Sequence, residues 1–77
     1  MMAEEIRVPK LGMSATEVTL SEWMFGEGEA VTKGDIIYTA ETDKTTVEIE
    51  AQASGVIHPT GQEGMAYKVG DLIGTIE

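Results

Sequence analysis

Shifted by 36 residues, the chain lies over itself: Glu27 to Glu41 matches Glu63 to Glu77 without a gap, with eight identities in fifteen positions. Glu27 meets Glu63, Gly28 meets Gly64, Ala30 meets Ala66, and Gly34-Asp35 meets Gly70-Asp71. Ile37 then meets Ile73, Thr39 meets Thr75, and Glu41 meets Glu77. A repeat on this scale in 77 residues implies one small domain made of two similar halves. It predicts two small sheets related by a pseudo-two-fold axis and packed face to face. Each Gly-Asp pair turns the chain into a strand, with Gly free to take a positive φ, so these turns read as scaffold. The unrepeated part is equally informative. Glu41 runs on into Thr42-Asp43-Lys44-Thr45-Thr46, whereas its mate Glu77 ends the sequence. Pseudo-symmetry therefore places a Lys44 hairpin at one pole and Glu77 near the other.

The rest of the chain reads as short strands between turns. Ile6 and Val8 alternate with Glu5 and Arg7, a half-buried strand stopped by Pro9. Lys10 to Thr16 is a loop carrying Leu11 and Met13 around Gly12, which fits local packing or a recognition site. Val18 and Leu20 alternate with Thr19 and Ser21; Trp23 and Phe25 then fall on the opposite parity, the signature of a β-bulge. A short helix over Thr16 to Phe25 is the competing reading, disfavoured by the β-branched and aromatic content. Asp35 to Glu41 and Val47 to Ala51 are strand-like runs on either side of the Thr42–Thr46 corner. From the Lys44 corner onward the alternation is unbroken: Thr45, Val47, Ile49 and Ala51 face the core, while Thr46, Glu48, Glu50 and Gln52 face water. Ser54-Gly55 turns the chain, Val56-Ile57 begins a strand closed by Pro59, and Asp71 to Glu77 is the last strand. His58 reads as a strand-end surface residue without a catalytic partner. The pattern is that of an all-β sandwich or flattened barrel.

Charge and composition exclude several classes of function. The net charge is −9, and Arg7, Lys10, Lys33, Lys44 and Lys68 are the only cations. No basic cluster is present to neutralise nucleic-acid phosphates, and an anionic membrane surface would repel the chain. There is no cysteine and a single His, so disulfides and the familiar zinc constellations are excluded. Gly26-Glu27-Gly28 lacks the third glycine and the helix of a dinucleotide-binding loop. No stretch approaches the ~20 apolar residues of a membrane span. A starting Met without a basic leader points to a bacterial cytoplasm, with the mitochondrial matrix as the alternative.

Among the lysines, Lys10 sits beside Pro9, Lys33 precedes a scaffold turn, and Lys68 lies in the equivalent turn of the second half. Lys44 alone occupies a hairpin corner between the halves. A free lysine amine, with a pKa near ~10.4, is a poor nucleophile at neutral pH. Using it directly requires burial or a cationic neighbour, and the acidic residues Glu41 and Asp43 beside it supply neither. Lys44 therefore reads as a covalent attachment point.

Glu41-Thr42-Asp43-Lys44, Val47-Glu48-Ile49-Glu50-Ala51 and Gly55-Val56-Ile57 resemble the lipoyl-attachment motif. Val8-Pro9-Lys10-Leu11-Gly12-Met13 resembles the opening of the lipoyl domains of dihydrolipoyl acyltransferases, and the resemblance runs from about Ile6 to Glu77. It implies a flattened barrel of two four-stranded antiparallel sheets in a single domain over residues 1–77, with lipoic acid amide-linked to Lys44. It implies a carrier rather than an enzyme, part or partner of an acyltransferase component and monomeric as a domain. Its partners would be a thiamine-diphosphate-dependent 2-oxoacid (or acetoin) dehydrogenase, the acyltransferase catalytic domain, a flavin dihydrolipoyl dehydrogenase and the lipoate-attaching enzymes. Glu41, Thr42, Asp43 and Thr45 would present the lysine. Leu11, Gly12, Met13 and Ser14 would form a recognition loop near it. Two departures stand out: Val18 where many members have Gly, and Thr45 where Ala is commoner. Both read as small surface differences that leave modification intact.

The nearest rival is a biotin carrier of the same fold, but biotinyl domains flank their lysine with methionines, where Asp43 and Thr45 stand here. A glycine-cleavage carrier is usually longer. An unmodified lipoyl-like adaptor would not need the Asp-Lys corner, and a self-sufficient enzyme lacks a nucleophile–base pair or metal set.

Overall fold

Short runs of β-branched and apolar residues, broken by glycine turns, give eight strands and no helix among the described residues. The computed structural model describes residues 3–10, 16–42 and 45–77. In chain order the strands are β1 (Glu4–Arg7), β2 (Glu17–Trp23), β3 (Ala30–Val31), β4 (Ile36–Glu41), β5 (Thr46–Glu50), β6 (Gly55–Pro59), β7 (Ala66–Lys68) and β8 (Leu72–Ile76). They form two four-stranded antiparallel sheets, ordered β1-β8-β6-β3 and β5-β4-β2-β7. The sheets pack as a flattened sandwich, with principal extents of 35 × 20 × 20 Å.

Advancing every strand by four, modulo eight, converts one sheet order into the other, so the pseudo-two-fold axis expected from the repeat is present. Its turns repeat in atomic detail. Gly28 and Gly64 have φ of 84° and 85°, and Gly34 and Gly70 have 98° and 93°. Asp35 and Asp71 each accept, at 2.9 Å, the N–H three residues earlier, from Thr32 and Lys68. Each Asp carboxylate thus satisfies an amide that the tight turn leaves without a backbone partner.

One expectation is refined. The halves do not correspond to the sheets: β2·β4 and β6·β8 pair within a half, while β1·β8, β3·β6, β2·β7 and β4·β5 pair across halves. β3 and β7, too short to announce themselves by alternation, are mates under the same 36-residue shift.

The core lies between the sheets: Ile6, Val8, Val18, Leu20, Val31, Ile37, Tyr38, Ala40, Ala51, Ile57, Ile73 and Ile76, with Trp23, Phe25, Ile49 and Tyr67 packed against it. Symmetry mates exchange volume, Tyr38 for Gly74 and Ala40 for Ile76, so the layer is filled without identical side chains. The expected bulge in β2 is present: the register with β4 shifts between Leu20 and Glu22, moving Trp23 opposite Tyr38. A second bulge, between Ile36 and Tyr38 in the β4–β5 pairing, turns the consecutive residues Ile37 and Tyr38 both inward.

Val18 requires a correction. It is 3% exposed and part of the core, so its difference from Gly is a packing change and not a surface one. The competing helix over Thr16 to Phe25 is replaced by β2.

Candidate functional site

β4 and β5 converge on the hairpin through the register Ala40↔Val47 and Glu41↔Thr46. Beyond that pair, Thr42 N–H donates to the Thr45 carbonyl at 2.8 Å. The Thr42 hydroxyl donates to the same carbonyl at 3.2 Å and accepts the Thr45 N–H at 3.3 Å. Thr45 Oγ1 in turn donates to the Thr46 carbonyl at 3.4 Å. Two threonines therefore close a loop of two residues, Asp43 and Lys44, which themselves lie outside the described residues. Glu41, Thr45 and Thr46 are exposed.

The neighbouring strand supports this end of β4. Thr19 pairs with Glu41, and Ser21, the extra residue of the β2 bulge, donates its hydroxyl to Glu41 Oε1 at 3.4 Å. β5 is the edge of its sheet and sends Thr46, Glu48 and Glu50 to solvent, while Val47 and Ile49 are half-buried and Ala51 is buried. The expected alternation holds from Thr46 to Ala51, weakened on the inner face by the edge position, but Thr45, expected on the core face, is exposed.

Of the expected recognition loop, Leu11, Gly12, Met13 and Ser14 lie outside the described residues. The residues that follow are placed: the Thr16 carbonyl accepts Val69 N–H at 3.1 Å, and Glu17 pairs with Lys68. Since Thr19 pairs with both Glu41 and Ala66, the exit of that loop, the Lys68–Asp71 turn and the Thr42–Thr45 hairpin lie at one end of a single sheet. In the other sheet the place of the hairpin is taken by the chain ends, where Glu4 pairs with Ile76.

The remaining cations do not gather. Arg7 pairs with Glu5 at 3.0 Å and donates to the Gly70 carbonyl at 2.9 Å. Lys33 and Lys68 belong to the mated scaffold turns. His58 is more engaged than a strand-end surface residue. Its Nδ1 meets Glu27 Oε2, and its Nε2 lies 3.2 Å from Glu77 Oε1. Symmetry explains that arrangement. Glu63, the mate of Glu27, accepts Trp23 N–H at 2.8 Å; the mate of Trp23 is Pro59, which has no N–H to give, and Glu27 turns to the imidazole instead. Among the described residues no group of three or more His, Asp or Glu side chains could hold a metal.

Comparison with known proteins fits this geometry. A family model described as "Biotin-requiring enzyme", covering biotin and lipoyl attachment, matches residues 4–76. The chain belongs to the biotin/lipoyl-attachment family. Within it, the domain is 40% identical over 73 residues to the dihydrolipoyllysine-residue succinyltransferase component of the 2-oxoglutarate dehydrogenase complex of Bacillus subtilis, a match covering 94% of this chain and 18% of that protein. It is 38% identical over 78 residues to the lipoamide acyltransferase component of the branched-chain α-keto acid dehydrogenase complex of the same organism, covering 100% and 18%. Among solved structures, the lipoyl domain of the 2-oxoglutarate dehydrogenase complex from Azotobacter vinelandii superposes with a TM-score of 0.80 at 34% identity, covering 97% of this chain and 96% of that one. The chain thus spans less than a fifth of the length of these curated relatives, and the part it matches is a lipoyl-type domain.

Proposed function

We propose that this domain is a lipoyl carrier whose Lys44 bears lipoic acid in amide linkage as a swinging arm. The observation that carries the reading is the two-residue loop containing Lys44, closed on both sides by Thr42 and Thr45 at the end of a β-hairpin. Its setting, a fold shared with a solved lipoyl domain at 34% identity, supports lipoate over biotin, as do the non-methionine neighbours Asp43 and Thr45.

Lipoic acid, when bound, supplies a dithiolane that accepts and releases acyl groups and electron pairs. The chain's own part is presentation. The paired strands hold both ends of the loop, and Glu41, Thr42, Asp43 and Thr45, which flank Lys44 in sequence, would present it to the modifying enzyme. The segment Leu11, Gly12, Met13 and Ser14 offers a second contact for the cognate dehydrogenase. Tethering keeps the carried group at high effective concentration as it passes between active sites. Those sites are the decarboxylating thiamine-diphosphate-dependent dehydrogenase of a 2-oxoacid or acetoin complex, the acyltransferase and the dihydrolipoyl dehydrogenase. In this reading the domain is not an enzyme, acts as a monomer and works in a bacterial cytoplasm or a mitochondrial matrix.

Intact mass after co-expression with a lipoate ligase tests the assignment. A lipoyl-sized increase on the wild-type chain and none on Lys44→Ala is expected. A biotin-sized increase, or an unchanged wild-type mass, refutes it.

A further inference from the structure

A two-residue hairpin loop is ordinarily closed by a reciprocal pair of backbone hydrogen bonds between its flanking residues. Here one of the pair is present, from Thr42 N–H to the Thr45 carbonyl at 2.8 Å. For the return bond, the Thr45 N–H donates at 3.3 Å to the Thr42 hydroxyl. That hydroxyl also donates to the Thr45 carbonyl at 3.2 Å. A hydroxyl has one proton to give and two lone pairs to receive with, so both contacts coexist. One side chain thus holds both backbone groups of the residue on the far side of the loop.

We propose that Thr42 is a positioning residue for modification: its hydroxyl fixes the separation and twist of the two loop ends, and so sets the geometry in which the amine between them meets a lipoate-attaching enzyme. The proposal rests on the lipoyl reading of Lys44 and names the group that makes the lysine recognisable. The side chain of Thr45 reaches along its own strand to the Thr46 carbonyl at 3.4 Å and plays no part in bridging the loop. The two threonines are therefore not equivalent, although the sequence places them symmetrically about Asp43-Lys44.

The test compares Thr42→Val, which keeps the β-branched shape and removes the hydroxyl, with Thr42→Ser, which keeps the hydroxyl, and with Thr45→Val. For each, kcat/KM for lipoylation by a lipoate ligase is followed by intact mass. Exchange of the Thr45 amide proton is followed by NMR, and the thermal midpoint reports the fold. Thr42→Val is expected to lower kcat/KM by about fivefold to tenfold, the size of one or two neutral hydrogen bonds. It is also expected to speed Thr45 amide exchange, with the thermal midpoint little changed. Thr42→Ser is expected to restore both readouts to within about twofold, and Thr45→Val to leave Thr45 exchange near wild type. Wild-type kcat/KM in Thr42→Val overturns the positioning role while leaving the lipoyl reading standing. Failure of Ser to rescue also overturns it, by showing that methyl packing and not the hydroxyl matters. If the wild-type chain itself takes no lipoyl group, the lipoyl reading falls and takes this role with it.

Discussion

Tyr38 faces Trp23 across β4 and β2, ring centroids 5.2 Å apart and planes tilted by 53°, and beneath that contact its hydroxyl is buried with no hydrogen-bond partner among the described residues. Trp23 satisfies its own polar end by donating Nε1–H to the Gly61 carbonyl at 3.0 Å. The aromatic pair is thus half satisfied, and the unsatisfied half is the more deeply buried one, Tyr38 being 1% exposed.

Replacing Tyr38 with Phe removes a polar atom that gains nothing in the fold and keeps the ring. Urea unfolding is expected to show stability unchanged or raised by up to ~1 kcal/mol, because an unsatisfied buried hydroxyl carries a desolvation cost. A loss above ~1 kcal/mol is the opposing outcome; it would mean that the hydroxyl has a partner in solution.

Burial pushes the Tyr38 hydroxyl up to about 12 from its ordinary 10.0. The folded-state value is the raised one, so the fold carries no ionisation penalty from this group below about pH 10. Stability is lost as pH rises from about 10 towards about 12, because the unfolded chain releases this proton first while burial disfavours the phenolate in the fold. Alkaline unfolding curves of wild type and Tyr38→Phe should therefore diverge in this window, with the Phe variant the flatter.

Val18 is a core residue, 3% exposed, so Val18→Gly tests how far this core depends on it. Loss of the side chain leaves a cavity, and glycine adds strand flexibility; together these cost about 2–4 kcal/mol. A chemical-denaturation midpoint within error of wild type would show that the two sheets close over the gap.

Gly34→Ala and Gly70→Ala probe the pseudo-symmetry energetically. Both residues take a left-handed φ, and an added Cβ meets nothing within 4 Å at either site. The penalty is therefore backbone strain alone, ~1–2 kcal/mol for each. The two values should agree to within ~0.5 kcal/mol. A large inequality would mean that the halves have diverged in how tightly they hold the turn.

Exchanging Asp43 and Lys44 moves the amine one place along the loop without altering Thr42 or Thr45. Near-wild-type stability by thermal melt and loss of lipoylation by intact mass are expected, because an enzyme that reads loop geometry does not follow the displaced amine. Efficient modification of the exchanged variant would show that the enzyme tolerates either position.

Particular residues show what a reader of the sequence could and could not find. The parity switch between Leu20 and Trp23 announces the β2 bulge because polar residues mark the outer face on both sides of it. The second bulge is silent because Ile36-Ile37-Tyr38 is apolar throughout and carries no parity to break. β3 and β7 are too short for any alternation and emerge only as mates of one another. Val18 is placed wrongly by comparison with glycine at its position, which says nothing about the direction a side chain takes. The bonds of His58 to Glu27 and Glu77 join a β6 residue to two residues outside the strands and distant in sequence, and no local pattern encodes them. At the hairpin, residue pattern yields the corner between Thr42 and Thr46, and the structure narrows it to two residues closed by Thr42 and Thr45. The unequal work of the two threonines depends on which hydroxyl reaches across, which no residue pattern encodes.

Four of the six strand pairings join the first half of the chain to the second. The halves are interlocked in the manner of an exchanged dimer that happens to be covalently continuous. Neither half can complete a sheet from its own strands, so a chain severed between Asp43 and Lys44 leaves two fragments that must find each other to fold. Mixing the separately made fragments should recover the Trp23–Tyr38 near-ultraviolet signal that neither gives alone. By the same geometry, a half-length chain ending before Lys44 could complete its sheets only by pairing with a second copy of itself.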